Sequence, residues 1–302
     1  MTLVGRTLGK YRLVERVGSG ALADVYRGLQ IGLERTVVVK VLPPALAADA
    51  VFRARFRRSG LATARLSHPN VITIFDSGEE GGVPYTVMEE LRPASLEDTL
   101  EHEGALPWTQ VLKVGHDVAK ALVYAHGRGV CHGSLSPACV KFDQRQNAIL
   151  TDFARADDGA SEAADVLALA GILHAALTGQ LEAHPAKRAA WREETPAELA
   201  AFVDGALASG HATARDFLAR LKDVELRLRA RHVSRAMAAL PPAVLEDDPP
   251  MPLCESSDSL GFLESLSSII SDDGQRGDVV RAFSWAAPVF LITLCGALML
   301  FH

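Results

Sequence analysis

One polar stretch of the chain concentrates groups that could take part in chemistry. Residues 130–143 read Val-Cys-His-Gly-Ser-Leu-Ser-Pro-Ala-Cys-Val-Lys-Phe-Asp. The hydroxyls of Ser134 and Ser136 are far too weak as bases to accept a proton at neutral pH. The thiol of Cys139 could bind a soft metal, but it is a poor ligand for hard magnesium. At these three positions the stretch therefore lacks the groups needed for general-base or magnesium chemistry.

Three other features indicate a phosphate-binding cleft. Residues 17–25 form a Gly-x-Gly turn between two strand-like segments, which lets the backbone approach a triphosphate closely, although such a turn by itself is most often just a tight turn. Lys40 ends the β-branched run 37–39, where its charge is costly unless it meets an anion such as a nucleotide phosphate. Asp152 follows the strand-like residues 148–150 and could hold a metal ion.

In this order the motifs resemble those of bacterial-type (Hanks-type) serine/threonine protein kinases, over about residues 8–229. The family's catalytic loop reads His-Arg-Asp-Leu-Lys-Pro-x-Asn. His132, Leu135 and Pro137 keep its frame, and Thr151-Asp152-Phe153-Ala154 resembles Asp-Phe-Gly with alanine in the last place. Against that pattern the degenerate positions are Ser134 for the catalytic Asp, Ser136 for the Lys, Cys139 for the metal-binding Asn, and Ser59 for the helix Glu that pairs with the β-strand Lys.

The resemblance also implies a nucleotide site. Its residues would be Val17, Gly18, Ser19, Gly20, Ala23, Val25, Val38, Lys40, Met88, Glu89 and Leu91, with Asp152 as the ligand for a magnesium ion. Because Ser59 cannot pair with Lys40, we expect Asp152 to take the place of the missing Glu. The helix-like segment around Ser59 carries Arg53, Arg55, Arg57, Arg58 and Arg65, which form either a solvated face or a surface for an anionic partner.

The segment that would grip a protein substrate is short. The aspartate that begins the next large helix in the family corresponds to Asp165, thirteen residues after Asp152, and an Ala-Pro-Glu motif is missing between them. We therefore expect a pseudokinase that acts as a signalling scaffold or regulator through protein partners, with ATP and magnesium as its candidate ligands. Two alternatives stay open: an atypical active kinase using Asp152 and a base such as Asp143 or Asp157, and a pure scaffold with a vestigial cleft.

The order of the elements predicts an α+β, two-lobed kinase-like fold, with strands first and helices after. We predict strands at 11–17, 23–29, 36–42, 71–76 and 85–89 and helices at 46–66, 108–127, 163–178, 196–208 and 212–229. The predicted domains are a β-rich lobe at 8–91, a helical lobe at 92–231, a linker at 232–281 and a transmembrane helix at 282–302.

The last two segments differ in composition from the rest. The linker is rich in proline, serine and acidic residues. It is either disordered throughout or carries a partner-docking or membrane-surface helix around Leu260–Ile270. Residues 282–302 lack Asp, Glu, Lys and Arg, and a helix of this length is long enough to cross a bilayer. Arg276 and Arg281 before it favour the cytoplasm for the kinase-like region, as in a tail-anchored membrane protein. The net charge of −6 gives no reason to expect nucleic acid as a partner.

Overall fold

The computed structural model describes residues 3–19, 23–153, 160–181, 191–209 and 213–238. Within these residues the chain forms a first lobe built on an antiparallel sheet and a second lobe built on helices. Both lobes lie in one compact unit, Met1–Val233, and Ser234–His302 is assigned to another. The predicted α+β architecture with segregated halves is confirmed.

The first lobe is a six-stranded sheet with two helices. Its elements are β1 (Thr7–Leu8), β2 (Tyr11–Ser19), β3 (Asp24–Gln30), β4 (Arg35–Val41), α1 (Pro44–Ala47), α2 (Ala50–Ala64), β5 (Ile74–Glu80) and β6 (Val83–Met88). The strands lie in the order β1-β2-β3-β4-β6-β5, and neighbours are antiparallel. Val37, Val39 and Val41 alternate along β4 and are fully buried, so the residues between them face the other side of the sheet.

Two predictions in this lobe need correction. The predicted helix 46–66 is divided into α1 and α2, because the carboxylate of Asp49 accepts a hydrogen bond from Val51 N–H at 2.7 Å and caps a new helix. The predicted strand 71–76 is misplaced, since β5 begins at Ile74 and continues through polar residues to Glu80. Val71 is buried and bridges Leu150 in the other lobe, so its apolar character reflects the junction between lobes.

The second lobe is mostly helical. Its elements are α3 (Leu96–Glu103), α4 (Trp108–His126), a 3₁₀ turn (Pro137–Cys139), β7 (Val140–Phe142), β8 (Ala148–Leu150), α5 (Glu162–Thr178), α6 (Ala197–Ser209) and α7 (Ala214–Ala238). Buried apolar side chains of α4 and α5 share one core, so these two helices form a rigid base for the loop that connects α4 to β7. Helix α3 was missed by the sequence analysis; Ser95 and Asp98 begin it with a reciprocal capping box.

Most of the predictions for the chain beyond the second lobe fall on residues that the structure does not describe. Residues 232–238, assigned to the linker, belong to α7, because good helix formers continue there until the proline at 241. The rest of the linker and residues 282–302 lie outside the described residues. Among the helices that the structure describes, none is long and apolar enough to cross a membrane.

Candidate functional site

A cavity of about 570 Å³ opens between the two lobes. It contains nine of the residues that the sequence analysis assigned to a nucleotide cleft or to its degenerate catalytic positions. These are Ala23, Val25, Lys40, Ser59, Met88, Ser134, Ser136, Cys139 and Asp152. The structure therefore brings together residues from both lobes that lie more than a hundred positions apart in the chain.

The sheet positions the cavity's lysine. Lys40 on β4 lies opposite Val25 on β3 and Thr86 on β6, so these three side chains share the face of the sheet that meets the cavity. Met88 lies two residues after Thr86 and shares this face. Thr86 was not predicted from the sequence, although its alternation with Met88 along the strand was a signal that could have identified it.

Lys40 pairs with Asp152, as the absence of a glutamate at Ser59 predicts. The ammonium donates to Asp152 Oδ1, and the hydroxyl of Thr151 donates to Oδ2 at 3.1 Å. Burial opposes ionisation of the carboxyl, but Lys40 and these hydrogen bonds outweigh it, so the pKa of Asp152 is lowered. Asp152 also has a positive φ of 63°, a conformation that non-glycine residues adopt at a cost and that its contacts stabilise.

Ser59 serves a different purpose from the glutamate that it replaces. Its hydroxyl donates to the backbone carbonyl of Phe153 at 2.7 Å. Phe153 is fully buried, with its ring 4.9 Å from that of His132. Helix α2 is thus tied to the segment that follows Asp152 without using Lys40.

The loop between α4 and β7 is held by a buried carboxylate on α5. Asp165, 1 % exposed, accepts hydrogen bonds from His132 N–H at 2.7 Å, Gly133 N–H at 2.8 Å and His126 Nε2 at 2.9 Å. Burial raises the pKa of this carboxyl, but the three donors outweigh that effect and the net pKa is lowered. His132, which keeps part of the frame of the predicted motif, therefore also helps to keep the loop in place.

His132 is part of this structural set. Its side chain is completely buried, and Nε2 donates to the backbone carbonyl of Thr151 at 2.8 Å. Burial lowers the pKa of the imidazole, so the ring is neutral at pH 7. His132 fixes the strand that presents Asp152 and is too enclosed to exchange protons with a substrate in the cavity.

The groups on the cavity side of the loop are neutral. Ser134 and Ser136 are half-buried, and the Cys139 thiol donates to Ser134 O at 3.7 Å and lies 3.6 Å from Ser136 Oγ. Burial raises the pKa of the Cys139 thiol, which favours its protonated form. Among the described residues that line the cavity, Asp152 is the one carboxylate. The described part of the lining thus presents no second acid that could act as a base beside it.

The described side chains that line the cavity do not provide the ligands that a magnesium ion prefers. Mg²⁺ prefers octahedral oxygen ligands, typically one or two carboxylates with water and phosphate. Here the oxygens of Asp152 are engaged by Lys40 and Thr151, and the thiol of Cys139 is a poor partner for a hard cation. That Asp152 holds magnesium stays a prediction, and these contacts count against it.

Several predicted nucleotide-binding residues lie outside the cavity lining. They are Val17, Gly18, Ser19, Val38, Glu89 and Leu91, and Gly20 lies outside the described residues. The hydroxyl of Ser19 is engaged with Arg16 and Asp24. The carboxylate of Glu89 accepts from Thr73 N–H at 2.7 Å. Their contact with a nucleotide stays a prediction.

One of the two candidate bases named from the sequence, Asp143, lies outside the cavity lining. Asp143 lies in the turn between β7 and β8, where its carboxylate accepts from the N–H groups of Arg145 and Asn147, each at 2.8 Å. It is not among the residues that line the cavity. The turn stabilises itself with this side chain, so Asp143 is corrected from a candidate base to a turn residue. Asp157 lies outside the described residues.

The back wall of the cavity comes from helix α2 and was not predicted. Phe52, Arg55, Phe56, Gly60 and Thr63 line it together with Leu42, Ile72 and Ile74. The α2 positions recur at helical spacing and hence share one face. Of the arginines on this helix, Arg53 donates to Glu79 at 2.9 Å, Arg57 is exposed and Arg55 contributes to the cavity wall.

Comparison with known proteins identifies the two-lobed arrangement. Residues 11–190 match the family model of the protein kinase domain. The chain is 32 % identical over 152 residues to the serine/threonine-protein kinase PrkC of Bacillus subtilis, covering 50 % of this chain and 24 % of that protein. It is 36 % identical over 159 residues to PksC, a serine/threonine-protein kinase of Streptomyces coelicolor, covering 49 % and 29 %. The chain thus spans about a quarter of the length of these relatives.

A solved structure agrees with these matches. The crystal structure of the Mycobacterium tuberculosis PknI kinase domain superposes with a TM-score of 0.62 at 28 % sequence identity. The superposition covers 74 % of this chain and 100 % of that one. The β-rich first lobe and the helical second lobe are therefore those of a kinase fold.

Proposed function

Because this chain belongs to the protein kinase domain family, we propose that it is a bacterial pseudokinase, which binds a nucleotide between its lobes and regulates partners without efficient phosphoryl transfer. One observation carries the proposal: the wall of the cleft that should hold the catalytic base presents Ser134, Ser136 and Cys139. The loop that carries them is nevertheless held in place by Asp165.

Phosphoryl transfer needs positioned charge more than covalent chemistry. In active kinases an aspartate of the catalytic loop accepts the proton of the substrate hydroxyl, and further groups hold the metal ions. Ser134 cannot accept that proton at neutral pH, and Ser136 supplies no positive charge to the transferred group. Asp152 is already paired with Lys40. Each of these differences lowers the transfer rate, and they occur together in one cleft.

Nucleotide binding rests on different groups, which are present. The cleft keeps a lysine at the end of β4, an apolar roof at Ala23 and Val25, and Met88 at the back. Its volume of about 570 Å³ falls within the usual range for small-molecule sites. A bound nucleotide that contacts both lobes would favour one arrangement of them by mass action, and this is how a non-transferring kinase fold could signal.

The proposal extends to location and partners. Residues 282–302 would anchor the chain in a membrane with the kinase fold in the cytoplasm, and the kinase-like surface and the linker would contact protein partners. This part rests on the sequence, namely a 21-residue segment without Asp, Glu, Lys or Arg, preceded by Arg276 and Arg281. Alkaline extraction of membranes that contain the full chain tests it. Retention in the pellet, lost when residues 282–302 are deleted, is the expected result.

The functional test uses the full chain in detergent micelles. Binding of a fluorescent ATP analogue and transfer of radiolabelled phosphate to the chain and to a generic substrate are measured side by side. We expect saturable binding with no transfer, and a Lys40→Met variant that loses binding. Lys10→Met is the matched control, because Lys10 is exposed and pairs with Asp76 away from the cavity.

Two other outcomes of these measurements would assign a different function to the chain. Transfer that disappears in an Asp152→Ala variant would indicate an atypical active kinase. Absence of binding, with Lys40→Met indistinguishable from wild type in folding and partner binding, would indicate a scaffold with a vestigial cleft.

A further inference from the structure

We infer that the cleft binds a nucleoside triphosphate without a divalent cation. The inference deepens the proposed function and rests on it. It comes from a disagreement between the family's use of magnesium and the side chains that line this cleft.

The charge of the cavity wall favours phosphate binding without a metal ion. Among the described lining residues, Lys40 and Arg55 are positive and Asp152 is negative, so the wall carries a net charge of +1. A kinase with its full set of catalytic groups has two further carboxylates here, at the positions of Ser59 and Ser134. The metal ions in such kinases are held at the positions of Asp152 and Cys139, and they neutralise the charge of the phosphates. With both carboxylates replaced by serine, the phosphates meet less repulsion and need less neutralisation.

The ion pair between Lys40 and Asp152 leaves room for a phosphate. The ammonium group of a lysine has three hydrogen-bond donors, so Lys40 can contact Asp152 and a phosphate oxygen at the same time. The Lys40 side chain is 31 % exposed, which leaves it accessible from the cavity. Magnesium, in contrast, would have to share a carboxylate that the Lys40 ammonium and the Thr151 hydroxyl already contact.

The wall of the cavity opposite Lys40 carries hydroxyl groups that can bind phosphate. Ser134 and Ser136 have hydroxyls that can donate hydrogen bonds directly to phosphate oxygens. The neighbouring Cys139 thiol is held neutral by burial and supplies no hard ligand for a metal. Both walls therefore present groups that suit bare phosphate oxygens better than a hydrated magnesium ion.

The experiment titrates a fluorescent ATP analogue into the full chain in detergent micelles. Parallel titrations contain EDTA, Mg²⁺, Mn²⁺ or Cd²⁺. We expect the Kd in EDTA to lie within about threefold of the Kd in Mg²⁺, a difference of less than 1 kcal/mol. An Arg55→Gln variant should weaken binding in EDTA by about tenfold, the value of one charge-assisted contact. Arg57→Gln, an exposed arginine of the same helix, is the matched control and should leave the Kd unchanged.

A second variant adds the missing donors. In Ser134→Asp/Cys139→Asn the cleft has an additional carboxylate and an oxygen ligand in place of the thiol. We expect its nucleotide binding to become weaker in EDTA and to recover with Mg²⁺. The reversal reports on the donor set through binding, so it does not depend on catalysis.

The outcomes separate this inference from the proposed function. Binding to the wild-type chain that is more than about tenfold tighter with Mg²⁺ than in EDTA would overturn the inference and leave the nucleotide-binding pseudokinase intact. Binding strengthened selectively by Cd²⁺ would overturn it as well, and would assign Cys139 as a metal ligand. Absence of binding in every buffer would remove the nucleotide part of the proposed function and this inference with it.

Discussion

Replacing Asp165 by asparagine should destabilise the second lobe strongly, although the two side chains have nearly the same shape. The carboxylate accepts hydrogen bonds from His132 N–H, Gly133 N–H and His126 Nε2. Asparagine can accept with its oxygen, but its NH₂ group faces at least one of these donors. A hydrogen bond to a charged group contributes about 1.5–3 kcal/mol, and breaking a buried charged network costs about 3–5 kcal/mol.

We take about 3 kcal/mol for this substitution, the low end of the range for a buried network. For a domain of roughly 150–250 residues each kcal/mol changes Tm by about 2–4 °C, so the variant should melt about 6–12 °C below wild type. Thermal unfolding of the full chain in detergent, followed by the fluorescence of Trp108 and Trp191, measures this difference. Asp223→Asn is the control, because Asp223 forms an exposed pair with Arg227 and should change Tm little.

The pH dependence gives a second check with a definite sign. The folded pKa of Asp165 is lowered, so its contribution is fully present above the unfolded pKa of about 3.9 and is lost as pH falls through the folded value. The difference between wild type and Asp165→Asn should therefore be largest near neutral pH and shrink in acid. If the variant melts within 2 °C of wild type at pH 7, as an exposed substitution would, the three hydrogen bonds to Asp165 do not stabilise the second lobe as proposed.

Three further predictions use the same melting assay or a titration. Ser59→Ala removes the hydroxyl that donates to a backbone carbonyl after Asp152, and it should cost about 1 kcal/mol; an unchanged Tm would show that this bond contributes nothing. Gly179→Ala should cost more than Gly129→Ala: both glycines have positive φ, but a Cβ at Gly179 would lie 2.7 Å from a backbone nitrogen and one at Gly129 meets open space. Equal losses would contradict that reasoning. Burial and a neighbouring carboxylate raise the pKa of Tyr11 to about 12, so its contribution is present below pH 10 and lost as pH rises towards 12; Tyr11→Phe should abolish that part of the alkaline loss of stability.

Local patterns made part of this structure predictable from the sequence. The β-branched residues 37–39 predict a buried strand, and the lysine after them then has to face the cleft. The missing glutamate at Ser59 leaves Lys40 without its usual partner, and this is why its contact with Asp152, 112 residues away, could be predicted. In each case the side chain is stabilised by one kind of environment, either burial for the apolar residues or an opposite charge for the lysine.

The contacts that could not be predicted depend on how elements are oriented in the fold. Helix α2 carries four arginines and little apolar periodicity, so its sequence does not indicate which side faces the sheet. Tertiary packing places Phe52, Phe56 and Arg55 at the back of the cleft. Likewise Asp143 and Asp152 look alike as isolated acids near the loop, and only the turn geometry assigns the first to its own backbone. Rotation of a helix and closure of a turn are set by the whole fold.

The loop between α4 and β7 separates two kinds of contribution that the same few residues usually combine. His132 and Leu135 point into the protein, and their burial stabilises the loop whether or not a substrate is present. Ser134 and Ser136 point to the cavity, where replacing a charged residue by a small neutral one leaves no buried group without a partner. Serine at these cavity-side positions thus leaves the buried contacts of the loop intact, whereas a change at Asp165 on the protein side would disturb three of them. In the proposed pseudokinase the fold keeps its cleft without the usual catalytic groups, and its regulatory function would depend on the shape and charge of that cleft.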